Sequence, residues 1–346
     1  MAKKATVPDR EPVLVDLALQ GGGSHGAFTW GVLDRLLEVP WLRLDGISGT
    51  SAGAMNAAVM IDGLAEGGRE GAKQALEAFW HAVSRAAAFS PFQRGPMDVL
   101  FGRWTLDNSP AFVAMDMMSR MFSPYDLNPG GLNPLRSILQ KYVNVDHLVK
   151  SDIKLFVTAT NVATGQPRIF RNAEITADAL LASACLPTMY QAIEIDGEAY
   201  WDGGYSGNPT ITPLVQHCKS QDTILVQINP VRRPEPPRRA RDIMTRLNEI
   251  SFNAVLLEEL HMIAVLQQVA DPGTSEGALW ANMRIHRIAS EKAIKLGYSS
   301  KLNAEWTFLR MLRDEGRRTA EAFLAEHGAD LGQRSTMNVQ DFIKGN

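Results

Sequence analysis

The sequence predicts an α/β fold with a mostly parallel sheet, because a strand, a tight glycine-containing turn and a helix follow one another twice near its beginning. The apolar run 13–19 is the first predicted strand, and the helical pattern behind it covers residues 27–38. The second strand is predicted at 44–48 and its helix at 52–60. Repeated strand–helix units of this kind are typical of sheets with parallel strands.

The rest of the chain continues this alternation after one long interruption. Helical periodicity returns at 73–88, and residues from 89 to about 150 are expected to be irregular because they are rich in Pro, Gly and Asn. Further strands are predicted at 153–160, 223–228 and 283–288, with two short strands around an Asp-Gly turn at 193–201, a Pro/Arg-rich linker at 230–241 and helices beyond it.

The composition is that of an ordinary globular protein, with 346 residues of which 45% are hydrophobic and 21% charged. A formal net charge of -3 argues against a nucleic-acid partner, because nucleic-acid binders need a positive excess to displace counterions. Cys185 and Cys218 are too few for a disulfide scaffold and lack the close Cys/His spacing of a zinc site. We therefore expect reduced thiols and no metal.

The first twelve residues are polar and charged, and no apolar segment of a secretory signal follows them. No apolar run approaches the roughly 20 residues that a spanning helix requires. We therefore expect a cytoplasmic protein whose membrane contact, if any, is peripheral; the oligomeric state stays open. The arginines of the linker offer either a contact for anionic lipid headgroups or a solvated surface: Arg232, Arg233, Arg238, Arg239 and Arg241.

The strongest chemical signal is the sequence Gly-Thr-Ser-Ala-Gly at 49–53, between a predicted strand and a predicted helix. A serine between two glycines in that context is typical of a nucleophile elbow, a turn too tight for side chains at the glycine positions. Ser51 would stand at a helix N-terminus, where the helix dipole stabilises negative charge. A tightly packed turn without chemistry is the alternative, and the strand–helix context favours a nucleophile.

A glycine-rich segment, Gly-Gly-Gly-Ser-His-Gly at 21–26, follows the first strand. A dinucleotide site would also need an acidic residue at the end of a second strand about 20 residues later, but Asp45 begins that strand. An oxyanion hole fits better, because adjacent glycine N–H groups can point at the alkoxide formed when Ser51 attacks an ester. One such donor typically lowers the barrier by about 3–4 kcal/mol.

A nucleophilic serine needs a base, because its hydroxyl is barely ionised near neutral pH. None of the histidines sits in a recognisable catalytic signature: His25, His81, His147, His217, His261, His286 and His327. Asp202, in Trp-Asp-Gly-Gly-Tyr, follows a strand-like segment, and two glycines leave its carboxylate room in a cleft. Asp-Gly-Gly alone is most often a turn, so a hydrolase that uses Asp202 with His261 or His286 stays a rival.

The ordered set Gly-Gly-Gly-x-x-Gly, Gly-Thr-Ser-Ala-Gly and Asp-Gly-Gly resembles the patatin-like phospholipase family. The resemblance extends through Ala-Ser-Ala-Cys-Leu-Pro at 182–187 and Asn-Pro at 208–209, and covers roughly residues 13 to 215. It implies a three-layer α/β/α fold and a Ser–Asp dyad without histidine. By position, Ser51 is the nucleophile and Asp202 the base, and the oxyanion hole is lined by Gly21, Gly22 and Gly23.

The resemblance also organises the chain: a polar tail at 1–12, a patatin-like catalytic domain at 13–229 with a cap-like insertion at about 89–150, and a mainly helical part at 230–346 packing on the same domain. One position departs from the family pattern. Members usually carry Arg or Lys just before the last glycine of the first motif, and this chain has His25, an imidazole that is often neutral near pH 7.

We therefore expect a serine lipid acyl hydrolase that cleaves carboxylic esters of lipids or phospholipids through an acyl-enzyme, with neither cofactor nor metal. Short-chain or polyester substrates are the rival within enzymes, and a non-catalytic lipid-binding protein is the rival outside them. Methionine-rich surfaces adapt to flexible ligands, so one cluster in the insertion would line an acyl-chain pocket or else pack in the core. That cluster is Met115, Met117, Met118, Met121 and Phe122.

Overall fold

The computed structural model describes residues 10–88, 90–294 and 296–344. Most of the predicted tail at 1–12 therefore lies outside the described residues, as do Phe89 and the side chain of Arg241. Arg10 is described, and its guanidinium donates to the carbonyl oxygens of Gly328 and Leu331. The beginning of the described chain is thus tied to its C-terminal part.

Eight strands of the described chain form one mixed sheet. They are β1 (Val13–Leu19), β2 (Leu42–Thr50), β3 (Lys154–Asn161), β4 (Pro167–Arg171), β5 (Ile193–Ile195), β6 (Glu198–Asp202), β7 (Asp222–Gln227) and β8 (Arg284–Ala289). β1 pairs in parallel with β2 and β7, β2 with β3, and β7 with β8. β4 and β6 pair antiparallel with β3, and β5 with β6.

The helices are α1 (Gly26–Leu36), α2 (Ala52–Ala87), α3 (Pro96–Leu100), α4 (Pro110–Met118), α5 (Pro124–Leu127), α6 (Pro134–Tyr142), α7 (Val145–Lys150), α8 (Ala177–Ser183), α9 (Thr212–His217), α10 (Ala240–Val269), α11 (Ser275–Ala281), α12 (Glu291–Ile294), α13 (Trp306–His327) and α14 (Val339–Lys344). Short 3-10 turns lie at Gly23–His25, Asn172–Glu174, Gly203–Tyr205 and Ser299–Leu302. None of the described helices has the length and apolar character needed to cross a membrane.

Alternating side chains of the strands produce two hydrophobic cores, one on each face of the sheet. In β1, Leu17 and Leu19 belong to one core and Ala18 to the other; in β7, Val226 and Leu225 divide in the same way. The larger core is covered by α1, α2, α8 and α13, and the smaller one by α9, α10 and α14. The predicted three-layer α/β/α fold with a mostly parallel sheet is confirmed.

The region from 90 to 150 differs from the irregular segment that we expected, since it contains the short helices α3 to α7. Four of them begin with a proline in the first turn: Pro96, Pro110, Pro124 and Pro134. Proline is favourable there, because its fixed φ suits a helix and its missing N–H would have had no partner. The prolines that suggested breaks are therefore helix starts.

Two further elements differ from the sequence prediction. The helices expected at 52–60 and 73–88 are joined in α2 across a kink at Gly67 and Gly68, whose backbone angles are not helical. Strand β4 was not predicted; it is a short antiparallel strand that begins at Pro167. The division of the chain into domains stays a prediction.

Candidate active site

Ser51 is the single residue between the end of β2 at Thr50 and the start of α2. Its backbone has φ 52° and ψ -121°, a conformation that is strained for a residue with a side chain. A Cβ atom at Gly53 would clash with the carbonyl oxygen of Leu19, and one at Gly49 would lie 2.7 Å from the amide nitrogen of Ala54. Both glycines of the motif are thus required by close backbone approach, as in a nucleophile elbow.

Strand pairing brings Asp202 to this turn. Thr158 of β3 pairs with Thr50 of β2 on one edge and with β4 on the other. The next residue, Ala159, pairs with β4 and with Asp202 of β6. A strand has only two edges, and β4 occupies one edge of β3 at both Thr158 and Ala159. β6 therefore pairs with the other edge of β3, just beyond the point where β2 ends at Thr50. Asp202 therefore ends its strand against the turn that carries Ser51.

The Asp202 side chain is 2% exposed, and this burial raises the pKa of its carboxyl to about 7. Three groups act in the opposite direction: the Gly204 N–H, which donates to Oδ1 at 2.7 Å, the Ser51 hydroxyl and the more distant Lys301 ammonium. The carboxylate is therefore poised to exchange a proton near neutral pH, at the position where Ser51 needs a base.

The Ser51 amide is held from α8. Its N–H donates to Oγ of Ser183 at 2.8 Å, and the Ser183 side chain is fully buried. Ser183 lies in the Ala-Ser-Ala-Cys-Leu-Pro sequence that carries part of the family resemblance, but the sequence alone did not indicate this contact.

The glycine-rich segment is anchored at Gly21. The Gly21 N–H donates to Oδ1 of Asn208 at 2.6 Å, and the Gly21 carbonyl accepts from the Asn229 side chain at 2.8 Å. Gly22 and Gly23 line the cavity beside Ser51, and within the described residues no acceptor engages their N–H groups. The Gly21 N–H thus already has a partner, and the role of the glycine-rich segment as an oxyanion hole stays a prediction.

Ser51 and Asp202 open into a cavity of about 250 Å³ with mostly apolar walls. The described residues that line it are Gly22, Gly23, Ser24, Ser51, Ala52, Met55, Phe79, Trp80, Val83, Leu135, Ala184, Leu186, Met189, Tyr190, Asp202, Phe252, Tyr298, Lys301 and Leu302. Helix α2, the strap 184–190, helix α10 and the C-terminal segment 298–302 supply most of these residues. Apolar walls with a few convergent polar groups are typical of a ligand site.

The methionine cluster does not line this cavity. Of the described residues 90–150, Leu135 alone contributes to the wall. Met117 and Met118 of α4 are exposed, as are Met121 and Phe122 just after it, and Met115 is half-buried. The cluster therefore neither lines this cavity nor forms a packed core helix, and the cap role of residues 89–150 stays a prediction.

A family model described as patatin-like phospholipase matches residues 17–215, more than half of the chain. The chain belongs to this family. The matched range contains the nucleophile-elbow motif, the Asp-Gly-Gly motif and the glycine-rich segment, and family membership assigns the chain to the lipid hydrolases.

Among solved structures, the crystal structure of VipD from Legionella pneumophila is similar to this patatin-like protein. The two share 15% sequence identity with a TM-score of 0.41, and the match covers 92% of this chain and 67% of that chain. No curated protein matches the chain.

His25 stands where members of the family usually carry a cation. Its side chain is 3% exposed, and its Nε2 lies 2.8 Å from Oγ of Ser300. Burial, with the nearby Lys301 ammonium, lowers the pKa of the imidazole to about 3. His25 is therefore neutral, and the positive charge beside the glycine-rich segment comes from Lys301 instead.

The histidine-dependent alternative is contradicted. His286 is fully buried, and its ring nitrogens lie 2.9 Å from Oδ1 of Asp222 and 3.0 Å from Oγ1 of Thr336. His261 is exposed on α10. Neither of them is among the described residues that line the cavity.

Two groups of described residues bring metal-ligating atoms within 4.8 Å of one another: Asp16, Asp45 and Cys218, and Asp62, Glu66 and His147. Lys154 already places its ammonium 2.8 Å from Oδ1 of Asp45. Neither group contributes to the wall of the cavity, so neither could polarise an ester bound beside Ser51.

Proposed function

We propose that this protein is a serine lipid acyl hydrolase that cleaves carboxylic esters through a dyad of Ser51 and Asp202. The observation that carries the proposal is that strand pairing sets Asp202 against the strained turn at Ser51, with both residues opening into an apolar cavity. A buried carboxyl with a pKa near 7 is a suitable base for a serine hydroxyl.

The reaction follows from this arrangement. Ser51 Oγ attacks the ester carbonyl carbon while Asp202 takes the hydroxyl proton, and the N–H groups of Gly22 and Gly23 hold the oxyanion. When the tetrahedral intermediate collapses, the ester C–O bond breaks and the alcohol leaves with the proton from Asp202. Water then attacks the acyl-enzyme with Asp202 again as base, which releases the carboxylic acid and restores Ser51.

The walls of the cavity favour a long acyl chain over a short one. Each buried CH₂ group contributes about 0.8 kcal/mol, close to a fourfold gain in affinity per carbon while the chain stays inside the cavity. Met55, Phe79 and Trp80 of α2 and Leu186 and Met189 of the strap form this apolar surface. Esters of lipids are therefore preferred to short-chain esters.

Hydrolysis of p-nitrophenyl esters of graded chain length tests the proposal, with wild type, Ser51→Ala, Asp202→Asn and the control Asp152→Asn. Asp152 is exposed just before β3, at the opposite end of the sheet from Ser51. We expect both dyad variants to lose about 10³-fold or more in kcat, the control to match wild type, and the rate to rise with chain length. Undiminished activity in Ser51→Ala would exclude Ser51 as the nucleophile, and no activity in wild type would favour the lipid-binding alternative.

Exposed apolar side chains beside the cavity favour contact with a lipid surface. Helix α10 supplies Phe252 to the cavity wall and exposes Ile243, Met244, Leu247 and Ile250 in its first turns. The segment 97–132 adds a second apolar surface: Met97, Val99, Leu100, Phe101, Met117, Met118, Met121, Phe122, Tyr125 and Leu132. We include peripheral binding to a lipid surface in the proposed function, since such patches commonly mark interaction sites.

Contacts tie the second surface to the rim of the cavity. The Gln191 side chain donates to the Asn128 carbonyl at 2.8 Å, and the Ala192 N–H donates to the Tyr125 hydroxyl at 3.3 Å, next to the lining residues Met189 and Tyr190. The linker arginines offer less positive charge to lipid headgroups than expected, because Arg233 is paired with Glu249 at 2.6 Å. A cytoplasmic location stays a prediction.

A further inference from the structure

A segment far along the chain lies directly on the glycine-rich segment. The 3-10 turn Ser299–Leu302 places the Lys301 carbonyl oxygen 2.5 Å from the position that a Cβ atom on Gly23 would occupy, and Gly23 has φ +57°. Ser300 contacts His25 through Oγ. The C-terminal part of the chain thus forms one wall of the loop that carries the Gly22 and Gly23 amides.

Lys301 projects from this turn into the cavity wall. Its Nζ donates to Oδ1 of Asn229 at 2.6 Å and lies 5.6 Å and 5.7 Å from the ring centroids of Phe252 and Tyr298. Both rings line the same cavity as Ser51. Aromatic faces stabilise an ammonium, so they help to keep the charge in this position.

Asn229 relays this contact to the glycine-rich segment. It is fully buried, and the nitrogen of its amide side chain donates to the Gly21 carbonyl at 2.8 Å. Lys301, which accepts no hydrogen bond, fixes Asn229 with its oxygen toward the ammonium and its nitrogen toward Gly21. The Asn208 side chain accepts from the Gly21 N–H, so both the N–H and the carbonyl of Gly21 are hydrogen-bonded.

We propose that Lys301 is a positioning residue for the oxyanion hole, which acts through Asn229 and Gly21 to hold the amides of Gly22 and Gly23 beside Ser51. It supplies from the C-terminal part of the chain the cation that the glycine-rich segment lacks at His25. This role rests on the proposed ester hydrolysis.

The charges around Lys301 predict how the activity should depend on pH if Lys301 has this role. Burial lowers the pKa of its ammonium to about 8; Glu249 and Asp202 favour the charged form, and Arg233 opposes it. Among the described residues, the other titratable side chains that face it are His25, which is neutral, and Tyr298, whose pKa burial raises. Asp202 must be ionised to act, which requires a pH above about 7, and Lys301 must be charged, which requires a pH below about 8.

The test is a set of pH profiles of kcat and KM, from about pH 5 to about pH 10, for wild type, Lys301→Met, Lys301→Arg and Lys292→Met. Lys292 is exposed on α12 and serves as the matched charge control. We expect Lys301→Met to lower kcat about 10- to 100-fold with KM changed less than about threefold, and to abolish the basic limb. Lys301→Arg should keep more of kcat and move that limb upward, because a guanidinium stays charged.

A Lys301→Met variant with wild-type kcat and an unchanged basic limb would overturn the proposal. A change confined to KM would also overturn it, because it would make Lys301 a substrate contact. If Lys301→Met fails to fold, as judged by circular dichroism, an unmoved basic limb in Lys301→Arg would overturn it equally. Ser51→Ala in the same assay separates the two proposals: activity near the wild-type level there overturns the hydrolase, whereas an inactive Ser51→Ala beside a normal Lys301→Met overturns the positioning role alone.

Discussion

Ser51 has a strained backbone, and its amide N–H donates a hydrogen bond to the Ser183 hydroxyl. Its φ of 52° is rare for a residue with a Cβ atom, and such strain persists only when the surroundings fix the residue firmly. The Gly49 and Gly53 contacts fix the backbone on either side, and the Ser183 hydroxyl accepts the Ser51 N–H. The direction of the nucleophile thus depends on a residue more than a hundred positions later in the chain.

Replacing Ser183 by alanine should misplace Ser51 without removing any reacting group. The buried Ser51 N–H would lose its acceptor, which costs about 1–3 kcal/mol of folding free energy. We expect kcat for a p-nitrophenyl ester to fall roughly tenfold while KM changes little, because the binding walls are intact. Thermal melting and steady-state kinetics measure the two effects.

Ser137→Ala is the matched control for that substitution, since Ser137 is exposed on α6 and its hydroxyl, within the described part of the chain, donates only to the Pro134 carbonyl of its own helix turn. The control should match wild type in both measurements. A Ser183→Ala variant with unchanged kcat and unchanged melting temperature would show that the amide contact does not position the nucleophile.

Asp202 and Gly21 show what the sequence can and cannot predict about single residues. The motif order was enough to predict that Asp202 lies near Ser51, because the resemblance fixes their strands. The partner of the Gly21 N–H was not predictable, because Asn208 reaches it from nearly two hundred residues away. Lys301 was missed for the same reason: nothing in the local sequence at 299–302 marks it as part of a cavity.

At the scale of elements, local sequence patterns predicted the strands that consist of short apolar runs. Strands β1, β2, β3 and β7 follow their predicted ranges closely, because buried parallel strands read as short apolar runs. The helices α3 to α7 were missed because a proline is interpreted as a helix breaker unless it is known to lie in the first turn of a helix. The exposure of α4 was not predictable from its apolar sequence.

The exposed side chains of α10 give a prediction for lipid vesicles. Leu247 is 52% exposed, and its removal from a lipid surface would cost about 1.5–3 kcal/mol, so Leu247→Glu should weaken vesicle binding about 10-fold or more. Vesicle flotation measures this, with zwitterionic and anionic vesicles in parallel to reveal any contribution of the exposed Arg238 and Arg239.

Val149→Glu is the control for flotation, because Val149 is 44% exposed on α7, just before the start of β3 and away from the cavity. It should bind vesicles as wild type does. Equal binding of Leu247→Glu and Val149→Glu would exclude α10 from a lipid surface.

At the scale of the whole molecule, the candidate active site is lined by residues from the family-matched part of the chain and from the C-terminal part beyond it. The family match ends at residue 215, yet Phe252, Tyr298, Lys301 and Leu302 line the same cavity as Ser51. Strand β8 extends the sheet beside β7, and α13 packs on α1, where Trp306 stacks on Trp30 at 5.9 Å. The C-terminal part therefore completes both the sheet and the wall of the cavity.

Covalent trapping tests the central claim most directly. A long-chain alkyl fluorophosphonate should react with wild type at one residue, and intact-mass and peptide analysis should place the single adduct on Ser51. Ser51→Ala should remain unlabelled, and Asp202→Asn should react much more slowly because its serine has no base. Labelling of Ser51→Ala at the wild-type rate, or no adduct in wild type, would contradict the assignment of Ser51 as the nucleophile.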